Sequence, residues 1–349
     1  MIKQKFKLTI RQLIASGYYA THHFLNRLQG KTVIMMYHRV MSKKELNGPF
    51  IQPGMYVKNH VFEMQMKFLK EYFEIISFTQ LLDLWGKKAW DTSKRYCVIT
   101  FDDGWLDNYL YAFPVLKKYN IPATIFLPTA FIGTNEWFWP DKMSHLLWHY
   151  YRDGVRQKHR EPVNPVKDKY WWLVNSNGKS VGERIEATLE KCKELPPNDV
   201  DSILGDMKTA LRVEFPDKRL LLNWSEIEEM SKHDISFGSH SSTHKFLTNI
   251  SAEEVRQEIE DSQHVLQDRD INYIPVFCYP NGNYTQKIAE QAKQAGYVAA
   301  VSTQFGFEDN PPHYLFGLKR IGIHNDMTST RSLLAYRLSC VGMKEKIHR

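Results

Sequence analysis

Two pairs of side chains in this sequence could share one metal ion. His240 and His244 stand four apart in "FGSHSSTHKF", which puts both imidazoles on one side of a helical turn. Asp102 and Asp103 close the hydrophobic run "YCVITF" and are followed at once by Gly104. An imidazole nitrogen or a carboxylate oxygen binds a zinc-like ion at about 2.0–2.1 Å, and an Asp/His/His set leaves positions open for water and substrate. The chemistry such a set suits is metal-assisted hydrolysis.

The histidine spacing is a weak signal by itself. With 14 His in 349 residues, about half a pair at that interval is expected by chance. A second pair does occur, His145 and His149 in "MSHLLWHYY", but bulky apolar neighbours surround it. That pair is expected on a helix face without a ligand. His240 and His244 instead follow the strand-like "ISFGS", where Gly238 and small hydroxyl residues leave space.

Neighbouring side chains on a regular strand point to opposite faces. Asp102 and Asp103 therefore serve one site only if the backbone leaves the strand between or just after them, a turn that Gly104 permits. The competing reading makes the two aspartates caps of the next helix and the histidines surface residues. Placement of both groups at the ends of strands favours the metal site, because that rim is where α/β folds build active sites.

The elements that must position these residues are legible as an alternation. Strand-like runs occur at 32–38, 96–101, 123–128, 235–239, 275–280, 297–302 and 318–323, with amphipathic helical stretches such as "HVFEMQMKFLKEYF" and "NYLYAFPVLKKYN" between them. Strands alternating with helices imply βα units and a parallel sheet, closed or open. Ser225 with Glu228 and Ser251 with Glu254 read as capping boxes that start helices. From about 133 to 220 the pattern changes to a Trp-, Tyr- and charge-rich insertion, read as a lid or substrate wall. Its Trp137, Trp139, Trp171 and Trp172 could stack on sugar rings or pack its core. The expected organisation is a basic N-terminal segment over 1–30, a scaffold over 31–330 and a C-terminal helix or tail over 331–349.

Composition narrows the class. At 43% hydrophobic and 13% aromatic residues the chain is no disordered protein, and no apolar run approaches the roughly eighteen residues of a membrane span. The net charge of +7 is spread along the chain and matches no nucleic-acid module. Cys97, Cys192, Cys278 and Cys340 lack C-x-x-C spacing and read as reduced, structural thiols. Residues 1–30 carry Lys3, Lys5, Lys7 and Arg11 among apolar residues but no secretory h-region, so a cytoplasmic protein is expected. This segment is either a helix packed on the domain or a basic amphipathic helix in peripheral contact with an anionic membrane.

"TFDDG" (100–104) with "HSSTH" (240–244) resembles the first two signature motifs of the polysaccharide deacetylases, the NodB-homology or carbohydrate esterase family 4 enzymes. The resemblance covers roughly 31–132 and 221–330, with "MYHRV" and "CYPNGNY" also similar to members acting on bacterial surface glycans. It implies a distorted (β/α)7 barrel and N-deacetylation of a glycan or lipid-linked sugar in surface polysaccharide synthesis. Deformylation or O-deacetylation of a lipid-linked aminosugar, or a catalytically silent glycan-binding relative, are the alternatives.

Carried over by position, the resemblance makes Asp103, His240 and His244 the ligands of a divalent metal, zinc foremost with Co2+ or Fe2+ as alternatives. It makes Asp102 the general base, and His324 in "RIGIHND" the candidate general acid. Tyr279 and Pro280 would line the groove, with the Tyr279 N–H at the oxyanion, and His38 would stand beside the site. The family's third motif carries an arginine that orients the base; here "VFCYPNG" has none, and Arg320 is the expected replacement.

Overall fold

The computed structural model describes residues 2–47, 50–156, 165–175, 178 and 180–339, so Cys340 and the tail beyond it lie outside the described residues. Seven parallel strands close into a ring: β1 (Thr32–Tyr37), β2 (Tyr96–Phe101), β3 (Ala123–Leu127), β4 (Ile235–Ser239), β5 (Tyr273–Cys278), β6 (Ala299–Phe305) and β7 (Leu318–Gly322). Strand β1 pairs with β2 from Thr32 opposite Tyr96 to Tyr37 opposite Phe101, and on its other edge with β7 at Met35–Ile321 and Met36–Gly322. The result is the distorted (β/α)7 barrel.

The distortion has a visible cause. Only Thr100 and Phe101 of β2 pair with β3, because the start of that edge is taken by the two-residue strand Glu74–Ile75. All six residues of β2 are buried, the expected state of a parallel strand covered on both faces.

Around the barrel and in the rest of the chain lie α1 (Ile2–Ala20), α2 (Asn59–Tyr72), α3 (Phe78–Lys87), α4 (Phe113–Tyr119), α5 (Trp139–Arg156), α6 (Pro165–Val174), α7 (Val181–Cys192), α8 (Pro197–Leu211), α9 (Trp224–Ser231), α10 (Ala252–Gln267), α11 (Gln286–Gln294) and α12 (Arg331–Leu338). Ser251 and Glu254 form the capping box of α10. At α9 the expected box is displaced by two residues: Asn223 accepts from the Glu226 N–H at 2.9 Å, and Ser225 lies inside the first turn. Asn caps as well as Ser does, and the earlier residue already holds the extended backbone a cap requires.

The chain divides into two compact units, one of Met1–Ser42, Pro53–Thr134 and Leu221–Arg349, the other of Lys43–Gln52 and Asn135–Leu220. The first contains the barrel. The second is a helical cluster whose core includes Met143, Leu146 and Leu147 of α5, Leu173 of α6, Ile185 of α7 and Met207 of α8. Trp137 donates its indole N–H to the Lys218 carbonyl at 2.8 Å, and Trp139 packs on this core, so neither is a free stacking platform. Trp171 and Trp172 are half exposed.

The three described cysteines, Cys97, Cys192 and Cys278, are buried and free, and burial pushes each thiol above its usual range. No helix among the described residues is long and apolar enough to cross a membrane.

Candidate active site

Asp102 and Asp103 part company at the end of β2. The Asp102 N–H still donates to the Tyr37 carbonyl at 2.9 Å, so this residue keeps the strand's course. Asp103 then takes φ +71° and Gly104 φ +63°, two consecutive left-handed residues. The turn thus begins on the second aspartate itself, one residue earlier than the glycine alone requires. A Cβ at Gly104 would stand 2.8 Å from Leu127 Cδ2, so a side chain there would push on β3 as well as strain the left-handed backbone.

Ser241 and His244 also have positive φ, at +64° and +57°. Such backbone costs on the order of 1–3 kcal/mol per residue and concentrates where the surrounding structure holds a site in place. The holding groups are present. The His244 N–H donates to Ser241 Oγ at 3.0 Å, and the Ser241 N–H to Ser239 Oγ at 3.1 Å. Buried Glu258 of α10 accepts from the Thr243 N–H at 2.7 Å and from the Thr243 hydroxyl.

The loop and the strand end bring Asp103, His240 and His244 together. Asp103 Oδ1 lies 3.3 Å from Nε2 of both imidazoles. Two ligand atoms at 2.0–2.1 Å from one tetrahedral ion stand about 3.3 Å apart, so the spacing fits a shared cation. His240 Nδ1 is 2.8 Å from the Cys278 carbonyl oxygen, which only accepts. The Nδ1 therefore carries the proton and leaves the Nε2 lone pair for a metal. The other carboxylate oxygen, Oδ2, accepts from the Trp105 indole at 2.9 Å. Trp105 is in turn stacked under Arg39 at 4.3 Å, and Arg39 is paired with Asp107 at 2.7 Å.

Asp102 belongs to a different cation. Arg320 reaches it from β7 with Nη1 on Oδ1 at 2.7 Å and Nη2 on Oδ2 at 2.8 Å, both residues being buried. Its remaining N–H groups go to the Ser302 carbonyl, Thr100 Oγ1 and Cys278 Sγ, so all five donors are used. Burial opposes ionisation of Asp102, but the guanidinium outweighs it and holds the carboxyl below the usual range. At Asp103 burial is likewise outweighed, there by the two imidazoles that face its carboxylate, and the carboxyl is held well below the usual range. Asp102, His240 and Cys278 also lie close enough to form a metal-sized group, but Arg320 already supplies the cation there.

Two further histidines flank the rim. His38 Nε2 is 3.9 Å from Asp102 Oδ2. His324 follows β7, where the Ile323 N–H still donates to the Met36 carbonyl of β1 at 2.9 Å. His324 Nδ1 contacts the Asp326 carboxylate.

Tyr279 and Pro280 do not line a groove. Tyr279 is fully buried, with its hydroxyl on the Phe316 carbonyl at 3.0 Å and its ring stacked on Tyr284; Pro280 is buried as well. The Tyr279 N–H donates to the Val301 carbonyl at 3.2 Å, which commits it to the barrel and removes it as an oxyanion donor. His145 and His149 lie 4.8 Å apart on α5, and among the described residues no third ligand joins them. Trp105 and Glu258 went unnoticed in the sequence. Trp105 had a signal in its place directly after "DDG", whereas Glu258 sits among other glutamates on α10.

Known proteins share this architecture. The deacetylase PplD of Streptococcus pyogenes, solved with acetate, superposes with a TM-score of 0.54 at 20% identity over 87% of this chain and 97% of its own. A de-N-acetylase of Aggregatibacter actinomycetemcomitans gives 0.55 at 15% identity, over 88% and 99%. In sequence, YxkH of Bacillus subtilis is 23% identical over 86% of this chain and 74% of its own length. The poly-beta-1,6-N-acetyl-D-glucosamine N-deacetylase of Staphylococcus aureus is 34% identical over 36% of this chain and 46% of its own. The family model described as polysaccharide deacetylase matches residues 89–300, a span that holds both strand-end motifs. By that match over more than half its length, the chain belongs to the polysaccharide deacetylase family.

Proposed function

We propose that the protein is a metal-dependent hydrolase that removes N-acetyl groups from an amino-sugar glycan or lipid-linked sugar of a bacterial surface polysaccharide. The observation that carries this reading is the division of the acidic pair: Asp103 Oδ1 faces two imidazole nitrogens at 3.3 Å, while Asp102 is held apart by Arg320. The Staphylococcus relative, which acts on poly-beta-1,6-N-acetyl-D-glucosamine, supports an N-acetylated substrate.

Asp103, His240 and His244 would hold the ion, of which zinc best suits two imidazoles and a carboxylate, with Co2+ or Fe2+ as alternatives. When bound, it would polarise the acyl carbonyl and acidify water. Asp102, ionised and fixed in orientation by Arg320, accepts a proton from the attacking water. The acyl C–N bond then breaks, and His324 protonates the departing amine through Nε2, its Nδ1 being turned to Asp326. The products are acetate and a free amine.

The test is acetate release from β-1,6-linked N-acetylglucosamine oligomers. Release that stops on chelation and returns with zinc or cobalt is expected. Release of formate from N-formyl analogues, with none of acetate by the metal-loaded protein, would assign a deformylase instead.

A further inference from the structure

Helix α1 has two unlike faces. One is docked on the barrel unit: Ala15 is fully buried, Gln12 Nε2 donates to Ser332 Oγ at 2.7 Å, and the Tyr19 hydroxyl lies 3.2 Å from that of Tyr72. The other carries Ile10, Leu13 and Ile14, which are 42%, 68% and 55% exposed. Their spacing of three and four makes one continuous apolar stripe along the helix. Three of the nine large hydrophobic side chains exposed among the described residues are gathered on this one face, so the exposure is a patch and not scatter.

Charge selects the partner. The helix sequence carries Lys3, Lys5 and Lys7, with no acidic residue among residues 1–44, while Arg11 is turned to the Met327 carbonyl on the docked side. We infer that the outer face of α1 docks on an anionic lipid bilayer, with Ile10, Leu13 and Ile14 entering the headgroup boundary. A helix with an apolar stripe and lysines lies in the plane of such an interface, and each lysine or arginine near an anionic leaflet adds to the attraction. A second copy of the chain fits less well, since association would set one net charge of +7 against another.

The docking does not depend on the proposed chemistry, but it has a consequence for it. Leu13 also lines a cleft of about 460 Å3 together with Asn325, Asp326 and Leu333. Asp326 is the partner of His324, so a membrane under α1 stands on the His324 side of the rim. That placement suits a substrate carried at a lipid surface.

Co-sedimentation of the full chain tests the inference, with vesicles of phosphatidylcholine containing phosphatidylglycerol set against phosphatidylcholine alone. The protein should partition onto the anionic vesicles, less so at high salt. The triple variant Ile10→Ser, Leu13→Ser, Ile14→Ser should bind about tenfold less or weaker still, with an unchanged melting temperature and unchanged activity on a soluble substrate. Leu13→Glu alone, at the most exposed position, should weaken binding in the same direction and serves if the triple variant fails to fold. Equal binding to both vesicle types, or unaltered binding by the variants, overturns the docking. So does a lipid-free dimer of the wild type that the variants turn into monomers, which would assign the stripe to self-association.

Discussion

Arg320 grips Asp102 with both terminal nitrogens, at 2.7 and 2.8 Å, and both side chains are buried in the barrel. The guanidinium enters from β7, two strands away from β5, where the family's third motif places its arginine. At that position Cys278 is short enough to leave room, and its Sγ lies 3.3 Å from Arg320 Nη2. Both oxygens of this carboxylate are thereby fixed in orientation.

Removing one half of this pair leaves the other buried and uncompensated. Arg320→Met should destabilise the fold by about 3–5 kcal/mol, read by denaturant unfolding. In the double variant Asp102→Asn, Arg320→Met, much of that loss should return, because neither buried charge remains. Additive losses would show that the two residues act independently.

Trp105→Phe removes the indole donor from Asp103 Oδ2 and keeps a ring beneath Arg39. Metal affinity should fall by about 10–100-fold, as for other groups that orient a metal ligand, beside the stability lost by shrinking a buried ring. Competition with a chromophoric chelator measures it.

Glu258 acts on the histidine loop through Thr243. Glu258→Ala should weaken metal binding by about tenfold or more, and Glu258→Gln, which can still accept from the Thr243 N–H, should recover part of it. Equal loss in both variants would mean that the charge matters and the loop geometry does not.

How far the sequence goes is clear from these residues. The strand ends that carry Asp102, Asp103, His240 and His244 were legible because buried parallel strands read as apolar runs and the acids and histidines break them. Tyr279 misled because a motif position fixes neither whether a side chain faces inward nor which carbonyl takes its N–H; both depend on the pairing of β5 with β6. Trp105 and Glu258 contribute through contacts with Asp103 and with Thr243 of the histidine loop, and local spacing does not encode such contacts. The second histidine pair reads as separate from the strand-end site because its neighbours in the sequence are bulky and apolar.

That separation gives its own prediction. His149→Ala should leave metal stoichiometry at the wild-type value, measured by elemental analysis, because the structure joins no third ligand to His145 and His149 among the described residues. A lost equivalent of metal would reveal a second binding site.

Glu308 offers a pH-dependent check on the barrel. It is buried, and burial raises its carboxyl above the usual range although it accepts the Lys319 N–H. A raised folded-state value means that the ionised form opposes folding, so stability falls as pH rises from the ordinary carboxylate range through the folded value. Glu308→Gln keeps the acceptor and removes the charge. Its melting temperature should exceed that of the wild type by more at pH 8 than at pH 5.

The division of labour between the two aspartates is tested most directly by measuring bound metal and acetate release together in the wild type, Asp102→Asn and His244→Ala. Asp102→Asn should retain the metal and lose nearly all turnover, while His244→Ala should lose both. Equal metal loss in the two variants, or full turnover by Asp102→Asn, would contradict the assignment.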